Sequence, residues 1–556
     1  MWMKPATVLL LSACLCPVAR SQAAASAHEQ AGVAQFKQGH LQEALNEFRA
    51  AIAENPSDGV SHDFIGMILG EAGKIDEAVS EFEQASRLEP MSPDPHFHLG
   101  LAFARTGRTS AAVSEYNQAL RLDPKLLEAQ YGLSEICARV GDLDGAIQLL
   151  RQVTETEPAF AEAHYNLSLN LWNRYKDSTG LKQVSDLDDA LKEMKIAVQL
   201  DPRNPKGYFA LAQIMADRGD LAPAVENLDQ AVEQEPSNPE YHYNLGLALR
   251  LKGDMDAAGA QFREAIRLNP AHGLAHRSLG LILREQGDLE AASSELRLAV
   301  TQLPDDAGGH QLLGSVLFKL NDTPAASEQL RQALHLNPYL PEAHAVLAQA
   351  LKKAGQAEEA QKELTELEKI NLQKANNGRA MLLVETAEDH VKKGDVVTAV
   401  HELQEAVTLS PDFLEAQYQF GLALQRNLTH VNSATAGAAF QRVLQLDPNH
   451  AQAHFQLGLL LQAQGDRGQA AAEFEKATQL APSLVAAHLE LARIATTSRE
   501  WSKAVPEFEA ALAWAPGDAE THYDLASALK ASGRPVEAAH ELEIAKKLRP
   551  DLPVRH

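Results

Sequence analysis

The chain has 556 residues, of which 45% are hydrophobic and 5% aromatic, and its formal net charge at pH 7 is −25. This length exceeds that of one ordinary domain, and a composition rich in Ala and Leu favours packed helices over sheets. An acidic excess of this size argues against nucleic acid or an anionic membrane as the main partner, and it favours a cationic or apolar partner.

The first predicted element, residues 1–24, has the features of an export signal. Lys4 supplies a short positive region, residues 6–15 form an apolar stretch too short to span a bilayer, and Ser21 and Ala23 are small residues suited to cleavage. This pattern predicts a periplasmic or secreted protein. The alternative is a membrane-anchored lipoprotein, because residues 11–14 resemble a bacterial lipoprotein box that would attach lipid to Cys14. No other stretch of the sequence predicts a membrane span.

From about residue 25 the chain repeats a segment of 34 residues that usually closes on proline. A longer gap of 44 residues before Pro202 indicates an insertion, which we place at 174–187. Fifteen units result, ten in 25–372 and five in 381–550. Their closing positions are Pro56, Pro90, Pro124, Pro158, Pro202, Pro236, Pro270, Pro304, Pro338, Leu372, Pro411, Pro448, Pro482, Pro516 and Pro550.

Each unit reads as two helices joined by a turn, and residues 241–270 show the pattern clearly. The apolar face of the first helix is formed by His242, Leu245, Gly246 and Leu249. Gly253 is predicted to end this helix and Asp254 to cap the next one. The apolar face of the second helix is formed by Ala258, Phe262, Ala265 and Ile266. Asn269 precedes a proline, which disfavours further helix.

The order of residues within the period resembles the tetratricopeptide repeat family. Alanine stands twelve residues before the closing position in all fifteen units. A small residue such as Gly246 stands twelve residues before that alanine, and a bulky residue such as Phe262 lies between the alanine and the closing position. The usual tryptophan near the start of the repeat is mostly histidine here. The resemblance covers essentially the whole mature chain. It implies an all-α fold, a right-handed superhelical solenoid of helix–turn–helix repeats, with a concave groove lined by the first helices.

Residues 373–380 interrupt the series. Their sequence contains Asn376, Asn377 and Gly378, and the closing proline of the tenth unit is replaced by Leu372. We therefore predict an irregular linker or hinge at 373–380. The tail, 551–556, is too short for a capping helix, so we expect either fraying of the last helix or self-association through the C-terminal repeat.

Catalytic and metal-binding motifs are absent from the sequence. It contains no phosphate-binding glycine loop, nucleophile elbow, His-Glu-x-x-His or calcium loop, and no stretch remains for a catalytic domain. We therefore predict a protein that is not an enzyme and needs no cofactor or metal. Histidine recurs at one place in eleven units. A ladder of metal sites is conceivable, but a ring at a helix–helix contact is preferred, since metal sites require several converging ligands.

One face of the first helices carries the candidate binding site. Five aromatic residues share one place in five consecutive units, and apolar and basic residues follow them on the same face. The predicted peptide-binding groove consists of Phe97, Leu101, Arg105, Tyr131, Arg139, Tyr165, Leu169, Phe209, Tyr243, Leu247, Arg250 and Arg284. The sequence thus predicts an exported scaffold that binds protein or peptide segments. The alternative is an accessory subunit that docks or positions a separate envelope enzyme, such as a glycosyltransferase or a secretion component.

Overall fold

The computed structural model of the chain describes residues 26–177, 184–426 and 430–550. Within these ranges every regular element is an α-helix, which confirms the all-α prediction. The predicted export signal with Cys14, the tail 551–556 and part of the insertion at 174–187 lie outside the described residues. No helix of the described ranges is both long and apolar enough to cross a membrane.

The chain forms two compact units, which are described separately. Unit 1 consists of Met1–Pro158 together with Phe440–His556, and unit 2 consists of Ala159–Ala439. The helices of the N-terminal segment of unit 1 are α1 (Ala27–Lys37), α2 (Leu41–Glu54), α3 (Gly59–Glu71), α4 (Ile75–Leu88), α5 (Pro93–Arg105), α6 (Thr109–Leu122), α7 (Leu127–Val140) and α8 (Leu143–Thr156).

Unit 2 contains α9 (Ala161–Asp177), α10 (Val184–Leu200), α11 (Pro205–Arg218), α12 (Leu221–Gln234), α13 (Pro239–Lys252), α14 (Met255–Leu268), α15 (Gly273–Gln286), α16 (Leu289–Gln302), α17 (Ala307–Lys319), α18 (Thr323–Leu336), α19 (Pro341–Lys353), α20 (Ala357–Lys392), α21 (Val396–Leu409) and α22 (Leu414–Arg426). The boundary with unit 1 falls within α23 (His430–Leu446). The C-terminal segment of unit 1 continues with α24 (Ala451–Ala463), α25 (Arg467–Leu480), α26 (Val485–Thr497), α27 (Trp501–Trp514), α28 (Ala519–Ala531) and α29 (Pro535–Leu548).

The helix ends follow the predicted turn chemistry. Helix α13 ends at Gly253, whose φ of 95° lies in the left-handed region that glycine adopts without a Cβ clash. Asp254 then caps α14 by accepting a hydrogen bond of 3.1 Å from the backbone N–H of Ala257. Helix α14 ends at Asn269, which is extended as expected before a proline. The predicted helix–turn–helix is therefore confirmed in this repeat.

Small residues let the two helices of a repeat approach closely. The alanines that stand twelve residues before each closing position are buried in all fifteen repeats, as Ala258 is in α14. Gly246 of α13 faces the fully buried ring of Phe262, and a Cβ at this glycine would lie 2.6 Å from the ring atom Cε1. A larger residue at Gly246 would thus separate the pair.

The expected irregular linker at 373–380 is corrected by the structure. Helix α20 runs without a break from Ala357 to Lys392, so it supplies both the second helix of the tenth repeat and the first helix of the eleventh. Leu372 explains why, because it keeps the backbone N–H that proline lacks and leaves the residue before it free to stay helical. Fifteen repeats are therefore built with twenty-nine helices in the described ranges. A hinge motion at this segment stays a prediction.

The compact units also differ from the predicted division into 25–372 and 381–550. Both predicted segments contribute helices to each unit, because distant repeats contact each other in unit 1. Asp142 accepts hydrogen bonds of 2.8 Å from both the backbone N–H and the hydroxyl of Ser483. Arg121 lies 3.3 Å from carboxylate oxygens of both Glu509 and Glu541. Burial raises the pKa of Asp142, although the hydrogen bonds from Gly145 and Ser483 oppose this rise.

Candidate functional site

The twelve predicted groove residues all lie on first helices of repeats. Those of unit 1 are Phe97, Leu101 and Arg105 on α5, and Tyr131 and Arg139 on α7. Those of unit 2 are Tyr165 and Leu169 on α9, Phe209 on α11, Tyr243, Leu247 and Arg250 on α13, and Arg284 on α15. Neighbouring first helices contact each other, as α5 and α7 do in unit 1 and α9 and α11 in unit 2. The structure therefore groups the predicted residues into two sets.

In unit 1, the first of the predicted groove residues exposes little of its aromatic ring. Phe97 is only 7% exposed, and its ring centroid lies 5.1 Å from that of His98 and 6.2 Å from that of Tyr116. Leu101 and Tyr131 are half-buried, and Arg139 is exposed. Phe97 is thus mainly a packing residue, and Tyr131 has the more accessible ring.

The basic residues of unit 1 share their surroundings with an acid. Burial raises the pKa of the Tyr116 hydroxyl, Glu135 raises it further, and Arg105 and Arg139 lower it. These opposing effects place two guanidinium groups and one carboxylate within electrostatic range of the same hydroxyl. The carboxylate of Glu135 therefore offsets part of the positive charge that a ligand would meet here.

Half-buried aromatic and apolar side chains mark the set in unit 2. Tyr165, Leu169 and Phe209 are half-buried, and the ring centroid of Phe209 lies 5.2 Å from that of Tyr241. Burial raises the pKa of Tyr165. Tyr243 is 8% exposed, because its ring packs 5.9 Å from that of Phe262 and 4.9 Å from that of His272. Tyr165 and Phe209 therefore present the rings that a ligand could reach.

Two arginines follow these rings on the same face. Arg250 is half-buried, and its Nε is buried without a hydrogen-bond partner among the described residues. Arg284 is held only loosely, since its Nη1 lies 3.9 Å from an oxygen of Glu342. A buried donor left without an acceptor costs about 1–3 kcal/mol, and more when it is charged.

Sequence reasoning missed Trp172, which lies on the same face of α9. Its Nε1–H donates to Asp217 Oδ2 at 2.7 Å, which links α9 to α11, and the ammonium of Lys176 lies 3.7 Å from its ring centroid. The sequence did contain the signal. Trp172 stands four residues after Ser168, the small residue of its repeat, just as Arg250 stands four residues after Gly246, the small residue of its own repeat.

The repeated histidines join the two helices of their repeats through hydrogen bonds. In all eleven, Nδ1 lies 2.6–2.8 Å from a Glu or Gln side-chain oxygen of the second helix. In seven of them Nε2 also lies 3.0–3.1 Å from the carbonyl oxygen of the preceding closing proline. No cluster of three or more His, Cys, Asp or Glu side chains in the described part of the chain is arranged to hold a metal ion.

His522 shows the electrostatic consequence of these bonds. Burial on its own would lower the pKa of His522, but the hydrogen bonds to Glu541 and to the carbonyl of Pro516, together with the charge of Glu541, raise it above its ordinary value. These histidines lie at helix–helix contacts, as preferred from the sequence, and their bonds to acceptors add a polar link that an aromatic ring would lack.

Sequence profiles of the tetratricopeptide repeat match most of the described chain. One profile matches residues 65–126, 209–271, 256–307 and 312–375, a second matches 103–168 and 495–554, and a third matches 451–484. A search of curated proteins found no match.

Solved structures of repeat proteins are similar to parts of this chain. YrrB, described as a tetratricopeptide repeat protein with an unusual peptide-binding site, is 21% identical over 35% of this chain and 95% of its own, with a TM-score of 0.32. MamA from Desulfovibrio magneticus is 24% identical over 32% of this chain and 96% of its own, with a TM-score of 0.29. Yeast Tom70 is 14% identical over 85% of this chain and 95% of its own, with a TM-score of 0.31.

The profile matches agree with the 34-residue period, the buried alanines and the paired helices described above. This chain belongs to the tetratricopeptide repeat family.

Proposed function

We propose that this protein is a non-enzymatic scaffold that binds an extended peptide segment along the first helices of unit 2. Its family supports a role in protein–protein interaction. The half-buried rings of Tyr165 and Phe209 would contact apolar side chains of the peptide, because stiff aromatic side chains give up little conformational freedom on binding. An acidic side chain or the terminal carboxylate of the peptide would bind between Arg250 and Arg284.

The observation that carries this proposal is the buried Nε of Arg250 without a partner among the described residues. Guanidinium pairs with carboxylate through two parallel hydrogen bonds, so one ligand carboxylate could accept from Arg250 and neutralise its charge. Hydrogen bonds to charged groups contribute about 1.5–3 kcal/mol, which corresponds to roughly tenfold to a hundredfold in affinity.

The test begins with a library of random peptides displayed for selection against the full-length chain. Selected peptides are then titrated against the variant Arg250→Met with Arg284→Met. The matched control is Arg263→Met with Arg297→Met, which removes two exposed arginines from the second helices of the same repeats. We expect the first variant to lose at least tenfold in affinity and the control to bind normally. Equal binding by both variants would show that the peptide lies elsewhere. Replacing each carboxylate of the peptide by an amide identifies the group that is bound.

We also propose export to the periplasm or the cell exterior, which the sequence of residues 1–24 supports. Lipid attachment at Cys14 is the alternative form of this proposal. The N-terminal residue and mass of the protein isolated from its native cells distinguish cleavage after Ala23 from a lipid on Cys14.

A further inference from the structure

The fused helix α20 leaves one junction between repeats without its usual packing. At each of the other junctions that lie within one unit, the second helix of a repeat contacts the first helix of the next, as α14 contacts α15 and α18 contacts α19. In the tenth and eleventh repeats these two helices are halves of α20. A single continuous helix cannot fold back on itself, so its two halves cannot contact each other as the two helices of the other junctions do.

Two leucines show how far these faces are uncovered. Leu364 stands eight residues before its closing position, the place of Phe262 and Leu330, and those two side chains are fully buried. Leu364 is 45% exposed. Leu382 takes the place that Ala343 has near the start of the first helix of the tenth repeat. Ala343 is fully buried, whereas Leu382 is 59% exposed. The chain thus carries large apolar side chains on both sides of the missing contact.

Both leucines point to the same side of α20. They are eighteen residues apart, which is five turns of an α-helix, so their side chains lie in one line along the helix. The residues between them at spacings of three and four complete a surface that we call the fused-helix face. It consists of Leu364, Glu368, Asn371, Ala375, Arg379 and Leu382, all of which are exposed.

We propose that the fused-helix face binds the same face of a second copy of this chain, with the two α20 helices antiparallel. In a pair centred on residue 373, Leu364 of each copy meets Leu382 of the other. Glu368 of each copy falls one residue, about 1.5 Å, from the level of Arg379 of the other. At the centre, Asn371 of each copy meets the small Ala375 of the other, so no two large side chains face each other there.

Charge and symmetry select a second copy as the occupant. Glu368 and Arg379 lie on the same edge of the face, so a two-fold axis brings each beside the opposite charge twice. Arg379 also contacts Glu405 of its own chain, which holds its side chain near this edge. The two faces of the missing junction complement each other in the other repeats, and a second α20 supplies both of them. This self-association is independent of the peptide binding proposed above.

The experiment measures the mass of the purified full-length chain by sedimentation velocity over a hundredfold range of concentration. The test variant is Leu364→Glu with Leu382→Glu. The matched control is Leu251→Glu with Leu298→Glu, which changes two leucines of the same unit that are 57% and 47% exposed. Circular dichroism checks that all three proteins have equal helix content. We expect a dimer for the wild type and the control, and a monomer for the test variant.

A charge-swap experiment tests the antiparallel register. The variant Leu364→Lys with Leu382→Lys should be a monomer alone and should form a mixed dimer with the Glu variant, because Glu and Lys then meet at both ends of the pair. A monomeric wild type would overturn the proposal. A dimer that survives Leu364→Glu with Leu382→Glu would also overturn the proposal. A dimer that dissociates only when the C-terminal repeat is changed is one such case. Monomers in the control as well as the test variant would also overturn it, and failure of the two monomers to combine would overturn the register.

Discussion

Replacing glycine by alanine should have opposite effects at Gly246 and Gly378, although both lie inside helices of unit 2. At Gly246 the new methyl group would lie 2.6, 2.8 and 3.1 Å from three atoms of the Phe262 ring. Carbon atoms in contact are normally about 3.5–4.0 Å apart, so the fully buried ring must move. Overpacking of this kind costs about 1–3 kcal/mol, which outweighs the 0.5–1 kcal/mol that alanine contributes to a helix.

At Gly378 the surroundings impose no such cost. Apart from the adjacent residues and the backbone of the same helix, no atom of the described residues lies within 4 Å of the position that a Cβ would take, and the residue is in the middle of α20. Gly378→Ala should therefore stabilise the helix by about 0.5–1 kcal/mol. The two identical substitutions should thus differ by about 2 kcal/mol in their effect on the free energy of local opening.

Native-state hydrogen exchange is the suitable assay, because a long repeat array need not unfold in one step. Amides of α13 and α14 should lose protection in Gly246→Ala, and amides near residue 378 should gain protection in Gly378→Ala. Unchanged protection in Gly246→Ala would contradict the close contact with Phe262. Reduced protection in Gly378→Ala would contradict the continuous helix α20 and would restore the hinge at 373–380.

Three further changes test other parts of the structure. Ala258→Leu should overpack a fully buried contact and cost roughly 1–3 kcal/mol, measured as a lower denaturation midpoint, and an unchanged midpoint would refute the placement. Asp142→Ala should reduce exchange protection at the start of α26, which begins beside Ser483, whereas Asp288→Ala, which removes the cap of α16, should leave α26 unaffected. The raised pKa of His522 means that its contribution to stability is complete below its unfolded pKa of about 6.5 and is lost as the pH rises through the folded pKa. Unit 1 should therefore lose stability over that range, and a pH dependence unaltered by His522→Gln would disprove the assignment.

Most of the repeat architecture could be predicted from the sequence, because it depends on short-range rules. A glycine such as Gly253 adopts a left-handed conformation that ends a helix, and the aspartate after it caps the next helix. Buried alanines such as Ala258 follow from the period of the apolar face. These features recur every 34 residues, so the period reinforces each local signal.

The features that sequence reasoning missed depend on contacts between distant residues, or on a helix that continues through residues that usually favour a turn. Asp142 and Ser483 meet although 341 residues separate them, and the pattern of a repeat array predicts contacts between neighbours alone. Asn377 and Gly378 favour a turn, but both flanking segments have strong helical patterns, and without a proline at 372 the helix continues through them. The predicted groove residues lie on first helices, but their exposure was not predictable, because neighbouring rings bury Phe97 and Tyr243.

A repeat protein offers an internal standard for judging function, since each place in the repeat occurs many times in one chain. Where nearly all copies of a place are buried, packing within the chain explains the residue there. Leu364 departs from that standard because the place of Phe262 is covered in other repeats and exposed in this one. Arg250 also departs from that standard, but here the atom is buried rather than exposed: its Nε has no hydrogen-bond acceptor in the described structure. Packing accounts for neither residue. The proposed self-association rests on the first departure and the proposed peptide binding on the second, so the two proposals depend on different observations in unit 2 and can fail independently.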